Sequence, residues 1–173
     1  MNQFIKTKRL LLEPLTPDHA KLLYKPFCDN ELYEYIFWEP PSSEDSLLEL
    51  FKKICKGKSP NGKQLWLNWA ARPKHSKDYS GFFEATIEDD KAMLAYYTFK
   101  PFNKMGFAKE GATGVIDYLK QNYTIKRFIL EIDTRNRASV RLAESLGFCW
   151  FKTINNACEL KGFQSHEFVY HLE

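Results

Sequence analysis

The sequence predicts an α/β protein of the α+β kind, one domain covering residues 1–173, with seven strands and four helices in the order β-α-α-β-β-β-α-β-α-β-β. Three observations predict it. Three consecutive strand candidates between Leu65 and Phe99, joined by short polar segments, suggest an antiparallel meander. From Phe107 the apolar period changes to that of a helix. The length, 173 residues, is about that of one average domain, and a single layered core of that size buries roughly 70% of the unfolded surface.

Taken in order, Arg9 to Leu15 reads as a strand stopped at Pro14, and Thr16-Pro17-Asp18 opens a helix over Pro17 to Phe27 with a capping hydroxyl and Pro in its first turn. Pro40-Pro41 ends the aromatic stretch Tyr33 to Trp38. Ser42-Ser43-Glu44-Asp45 then starts a second helix, whose Leu47, Leu48, Phe51, Ile54 and Cys55 fall at helical spacing before Gly57. Leu65 to Ala71, Ser80 to Ile87 and Ala92 to Phe99 are the meander, the last two joined by Glu88-Asp89-Asp90-Lys91. Phe107, Ala108, Gly111, Ala112, Val115, Ile116 and Leu119 share one helical face; Gly111 and Gly114 cost such a helix up to about 1 kcal/mol each, so close packing is the reason for them. A strand at Arg127 to Ile132, a helix at Arg137 to Leu146 with Gly147 behind it, and strands at Phe148 to Ile154 and Gln164 to Leu172 complete the chain.

Composition excludes several classes. With 44% apolar, 16% aromatic and 27% charged residues, the chain is neither a disordered tail, a collagen-like fibre nor a coiled coil. A net charge of +3 is too small to argue for nucleic acid. No stretch is apolar enough for a membrane span, and the first residues are charged where an export signal would be apolar, so a cytoplasmic protein is expected. The four cysteines and four histidines form no Cys-x-x-Cys pair and no i, i+4 pair, so neither a disulfide framework nor a structural zinc is expected.

Two strand-to-helix passages carry candidate chemistry. In Thr98 to Ala108 a strand enters a short loop and then a helix. The free backbone N–H groups of that helix start, with the positive end of its dipole, suit a phosphate or pyrophosphate. Gly106 either lets the backbone approach such a group or simply supplies a left-handed turn. In Asp133 to Ser139 a second strand enters a helix, and Asn136 is placed to cap it by accepting the N–H of residue 138 or 139. Two neighbouring strands that both end at helix starts can enclose a ligand between them.

Thr7-Lys8-Arg9-Leu10-Leu11-Leu12 with Thr16 to Ala20, Trp38-Glu39-Pro40, Gly81 opening a strand, Gly106-Phe107-Ala108-Lys109-Glu110, and Asn136-x-x-Ser139 ending in Leu146-Gly147-Phe148 together resemble the GNAT acyltransferases. Their order and spacing are similar to the RimJ/RimL-type branch of protein N-terminal acetyltransferases. The resemblance implies a twisted mixed sheet, mostly antiparallel, whose fourth and fifth strands splay apart around acetyl-CoA, with no metal. It implies that the edge at Tyr97, Thr98 and Phe99 pairs with the pantetheine amides, that Asn103, Lys104, Met105, Gly106, Phe107 and Ala108 hold the pyrophosphate, and that Asn136 bonds to the pantetheine or the splayed strand. A backbone N–H near Phe99 would polarise the thioester carbonyl. The region of Tyr33, Tyr35, Phe37 and Trp38 lines the family's acceptor groove, and Trp38 and Tyr96 are the expected substrate contacts.

The departures from the family pattern also carry information. Asn103 and Lys104 replace the usual Gln or Arg and a frequent Gly. Met93 stands where a carboxylate base often does, and Ala143 where many members have an acidic Tyr. Ser139 is then the nearest hydroxyl for the acid, and Glu84 the candidate base, with Glu131 and Asp133 behind it. A site without a strong base suits α-amines: their pKa near 8 leaves about a tenth neutral at pH 7, whereas a Lys side chain near 10.4 sits about three units away, roughly 4 kcal/mol. The expected reaction is therefore acetyl transfer from acetyl-CoA to a primary amine, a protein or peptide N-terminus above all, by a monomer or homodimer. The alternatives are acetylation of a small amine or antibiotic, and a non-catalytic acyl-CoA-binding module. Basic runs at Lys52 to Lys63 and Arg72 to Lys77 form a solvated face that a negatively charged partner such as a ribosomal surface could use.

Overall fold

Alternation along each strand sends neighbouring side chains to opposite faces of a sheet, and here helices cover both faces. The computed structural model describes residues 3–173. In chain order the elements are β1 (Ile5–Lys6), β2 (Leu10–Pro14), α1 (His19–Phe27), α2 (Glu44–Ile54), β3 (Leu65–Pro73), β4 (Gly81–Glu88), β5 (Lys91–Thr98), α3 (Phe107–Asn122), β6 (Arg127–Asp133), α4 (Arg137–Ser145), β7 (Cys149–Leu160) and β8 (Phe163–Leu172). Single 3-10 turns lie at Asn30–Tyr33 and Lys100–Phe102. The strands form one sheet in the order β1-β2-β3-β4-β5-β6-β8-β7, antiparallel throughout except where β5 meets β6. The described residues thus hold eight strands where seven are expected. The extra one is the two-residue β1, too short to show a period, which pairs Ile5 with Leu12 and Lys6 with Leu11.

On one face Leu67, Trp69, Phe83, Ala85 and Leu94 pack under α3 and α4. On the other, Ala70 and Phe82 pack under α1 and α2 with Phe27, Leu47 and Phe51. The close packing inferred for α3 is present: a Cβ at Gly111 would lie 2.2 Å from Cζ of Phe83. The serine-rich start of α2 forms a reciprocal cap, with Ser46 N–H donating to Ser43 Oγ at 3.0 Å and Ser43 N–H to Ser46 Oγ at 3.1 Å. The start of α1 differs from expectation. The helix begins at His19, and Asp18 at its N-cap makes no side-chain bond. Instead His19 Nδ1 accepts the Thr16 N–H at 3.1 Å and lies 2.8 Å from the Thr16 hydroxyl, so the imidazole reaches back to the residue before the helix and the hydroxyl meets the ring.

The pairing of β5 with β6 positions the site. These strands run parallel through Lys91–Arg127, Ala92–Phe128 and Met93–Ile129, and there the ladder ends. From Leu94 to Thr98, β5 remains paired with β4 alone. The expected splaying of the fourth and fifth strands is this divergence of β5 and β6. No helix among the described residues is long and apolar enough to cross a membrane.

Candidate active site

Backbone parity decides which groups of β5 face the opening. Phe99 N–H donates to Ser80 O at 3.0 Å, which makes Phe99–Ser80, Tyr97–Phe82 and Ala95–Glu84 the hydrogen-bonded pairs with β4. The N–H groups of Tyr96 and Thr98 therefore turn toward β6, beyond the last β5–β6 pair. The amide of Phe99, in the stretch expected to supply a donor for the thioester carbonyl, is engaged by Ser80, and its side chain is 2% exposed in the core under α1 and α2.

After the 3-10 turn the chain extends at Asn103, takes a left-handed conformation at Lys104 (φ +62°) and again at Gly106 (φ +79°), and enters α3. A lysine in this conformation costs roughly 1–2 kcal/mol relative to right-handed backbone. Glu110 N–H donates to Gly106 O at 3.1 Å, so the N–H groups of Phe107, Ala108 and Lys109 have no acceptor within the helix. Arg9, to which the sequence assigned no separate role, braces this turn. Its guanidinium donates to the Met105 carbonyl at 3.0 Å, pairs with Glu110 at 2.5 Å and lies over the Phe107 ring, 4.6 Å from its centroid. Burial tends to raise the Glu110 pKa, but bonds from Thr7 and from the backbone and side chain of Arg9 hold it below the usual carboxylate range. The Arg9–Glu110 partnership spans 101 residues of chain and leaves no local signature.

A cleft of about 560 Å³ opens between this turn, the free edge of β5 and the start of α4. Tyr97, Thr98, Asn103, Lys104, Gly106, Phe107, Ala108 and Asn136 line it, whereas Met105 lies outside with its side chain half exposed. Lys104, Lys109 and Arg141 also line the cleft, and none of the three has an ion-pair partner among the described residues. Asn136 caps α4, its Oδ1 accepting the Ser139 N–H at 3.0 Å. The Ser139 hydroxyl lies 2.8 Å from that of Tyr96. Burial raises the Tyr96 pKa, opposed by this bond. Tyr96, expected at the acceptor, lines this cleft: alternation points it toward α4, and Tyr97 to the other face.

On that other face a second cavity, about 450 Å³, lies between α2, the Trp38 loop and the sheet. Trp38 and Glu84 both line it. Burial pushes the Glu84 carboxyl up to about 7. Burial also raises Tyr97, helped by the nearby Glu84 and Tyr33. Among the lining residues Tyr97 alone is common to both cavities. The other carboxylates considered as bases are placed differently. Glu131 is exposed and lines neither cavity. Asp133 is 5% exposed; burial tends to raise its pKa, yet bonds from Arg135 side chain and backbone, together with Ser165, hold it down to about 2. Met93 lines neither cavity, and Ala143 is fully buried in the core.

The model of the acetyltransferase (GNAT) domain matches residues 9–149. The chain belongs to the GNAT acetyltransferase family. As such it is an acetyl-CoA-dependent N-acetyltransferase. Its fold matches RimL, a ribosomal L7/L12 alpha-N-protein acetyltransferase solved with coenzyme A, at a TM-score of 0.87 with 16% identity over 98% of this chain and 97% of that one. The Salmonella typhimurium acetyltransferase that modifies the N-terminal serine of L7/L12 matches at 0.85, with 16% identity over 98% of both chains. A GNAT-family acetyltransferase from Bacillus anthracis matches at 0.83, with 17% identity over 98% of both. No curated protein sequence matches significantly. Coenzyme A suits the cleft of this GNAT enzyme chemically: its phosphates would meet the α3 amides with Lys104, Lys109 and Arg141, and its pantetheine amides the open edge of β5.

Proposed function

We propose that this enzyme acetylates the α-amine of a protein or peptide, with the acetyl donor in the β5–β6 cleft and the acceptor entering from the Trp38 side. The observation that carries the reading is Glu84, a carboxylate inside a largely apolar pocket that meets the cofactor cleft at Tyr97. Acetyl-CoA supplies the activated acetyl group. Thr98 N–H, on the free edge of β5, donates to the thioester oxygen as negative charge gathers there. Glu84, held near 7 by burial, accepts the proton of the attacking amine. Ser139, bonded to Tyr96, donates toward the departing sulfur, and Asn136 holds the start of α4 in place for it.

The pKa of Glu84 bears on the acceptor. Taking a proton from an α-ammonium near pKa 8 is uphill by about one unit, or about 1.4 kcal/mol; from a lysine side chain near 10.4 it is uphill by more than three, or about 4–5 kcal/mol. Resemblance in fold to enzymes whose names specify an N-terminal acceptor supports the same choice. The four free cysteines fit a reducing, cytoplasmic setting. The test measures thiol release from acetyl-CoA at pH 7 with peptides offering only an α-amine or only an ε-amine. Faster release with α-amine peptides is expected. Faster release with ε-amines contradicts the reading, and tight CoA binding with no release from any amine points to a binding module.

A further inference from the structure

The acceptor pocket is much larger than an amine requires. Its roughly 450 Å³ would hold about fifteen waters at about 30 Å³ each. Two large apolar side chains stand exposed along its lining, beside Glu39 and Lys53: Trp38 is 65% exposed and Leu50 42% exposed, and both line this one cavity with Ile54 and Trp66. A single exposed apolar residue needs no explanation, but two wet ones flanking a cavity with a carboxylate inside mark a surface that a ligand covers. On the α2 wall, the Ser46 hydroxyl is already used, donating to Ser43 O at 2.7 Å and accepting the Ser43 N–H. A hydroxyl-bearing side chain seated there would find only one lone pair of it left, whereas a hydrocarbon side chain would displace water from Trp38 and Leu50.

We propose that the acceptor α-amine belongs to a residue with a bulky apolar side chain, of the Leu, Met or Phe class, seated between Trp38, Leu50, Ile54 and Trp66 while its ammonium is drawn to Glu84. This rests on the N-terminal reading above and narrows it. It differs from the N-terminal serine named for the Salmonella enzyme of similar fold. The specificity would rest on side chains of α2 and the Trp38 loop, which a shared fold does not dictate.

The test compares peptides that differ only in their first residue, Ser, Ala, Leu, Met or Phe, on a common lysine-free tail, reading kcat/KM by thiol release at pH 7. Leu, Met and Phe peptides are expected to exceed Ser by about 10- to 100-fold. Leu50→Asp is expected to bring the Leu:Ser ratio close to one. Its thermal shift with acetyl-CoA reports that the variant is folded, and Ile54→Asn serves as a second wall variant. A Ser peptide used as well as Leu, or a ratio unmoved in both variants, overturns the proposal. If no peptide turns over, isopentylamine is compared with ethanolamine. A preference for isopentylamine that Leu50→Asp removes upholds the apolar pocket while discarding the N-terminal reading, and equal use discards both.

Discussion

The cleft proposed for the cofactor presents main-chain donors, the amides of Phe107 to Lys109 and the open edge of β5 at Tyr96 and Thr98, beside the side chains of Lys104, Lys109 and Arg141. The pocket proposed for the acceptor depends on side chains brought from the Trp38 loop, α2, β3, β4 and β5. Main-chain donors survive substitution of the residues that carry them, so Asn103 and Lys104 can stand where the family uses other residues while the turn keeps its shape. A pocket of side chains has no such protection. Chains about 16% identical can therefore share a fold at a TM-score of 0.87, and specificity is expected to diverge on the acceptor side.

Substitutions on the two sides should separate accordingly. The largest effect is expected from Glu84→Gln, which should lower kcat/KM by about 10²- to 10⁴-fold at pH 7 with acetyl-CoA affinity unchanged. In the parent, kcat/KM should rise with pH up to about 7 as Glu84 ionises, and in the variant the midpoint of that rise should move to the ionisation of the amine itself, near 8. The same substitution should stabilise the fold. Because the folded pKa lies above the unfolded value of 4.5, the native state binds this proton more tightly, and stability falls as pH rises from about 4.5 to 7. Removing the charge should recover about 1–3 kcal/mol at pH 8, read by urea unfolding. A loss of acetyl-CoA affinity in this variant would blur the division between the two sides.

Next in size is Gly106→Trp, which forces a large side chain into a left-handed turn beside Arg9. Acetyl-CoA affinity should fall by more than about tenfold in calorimetry, with the thermal shift lost. A normal shift would mean that this turn does not hold the phosphates. Ser139→Ala and Tyr96→Phe should each lower kcat by about tenfold, and the double variant by little more, because both remove one shared hydrogen bond. Independent, multiplying effects would deny the pair. The smallest effect is expected from Lys104→Gly, which should stabilise the fold by about 1 kcal/mol by relieving its left-handed backbone, with a modest loss of acetyl-CoA affinity as one positive charge leaves.

The same division governs what could be read from the chain in advance. Helix starts, glycines and strand periods are local, so the meander, the turn before Phe107 and the cap at Asn136 are visible in a few consecutive residues. Arg9 on Glu110 and Glu84 beside Tyr97 depend on residues distant in sequence, and no local pattern shows them. Tyr96 and Tyr97 illustrate the limit within two positions: alternation requires that they face opposite ways, but only the register with β4, which pairs Tyr96 with Phe83 and Tyr97 with Phe82, decides which packs on the α3 face. The raised pKa of Glu84 likewise comes from walls supplied by other elements, so its type and strand suggested a candidate without revealing its environment.

A structure with a bisubstrate analogue, coenzyme A joined through its sulfur to the α-nitrogen of a short peptide, tests the shared junction at Tyr97 most directly. The diphosphate should lie on the amides of Phe107 to Lys109, the linker beside Tyr97, and the peptide's first residue between Trp38, Leu50 and Glu84. A peptide half lying outside that pocket, or a pantetheine arm away from the open edge of β5, would contradict the account.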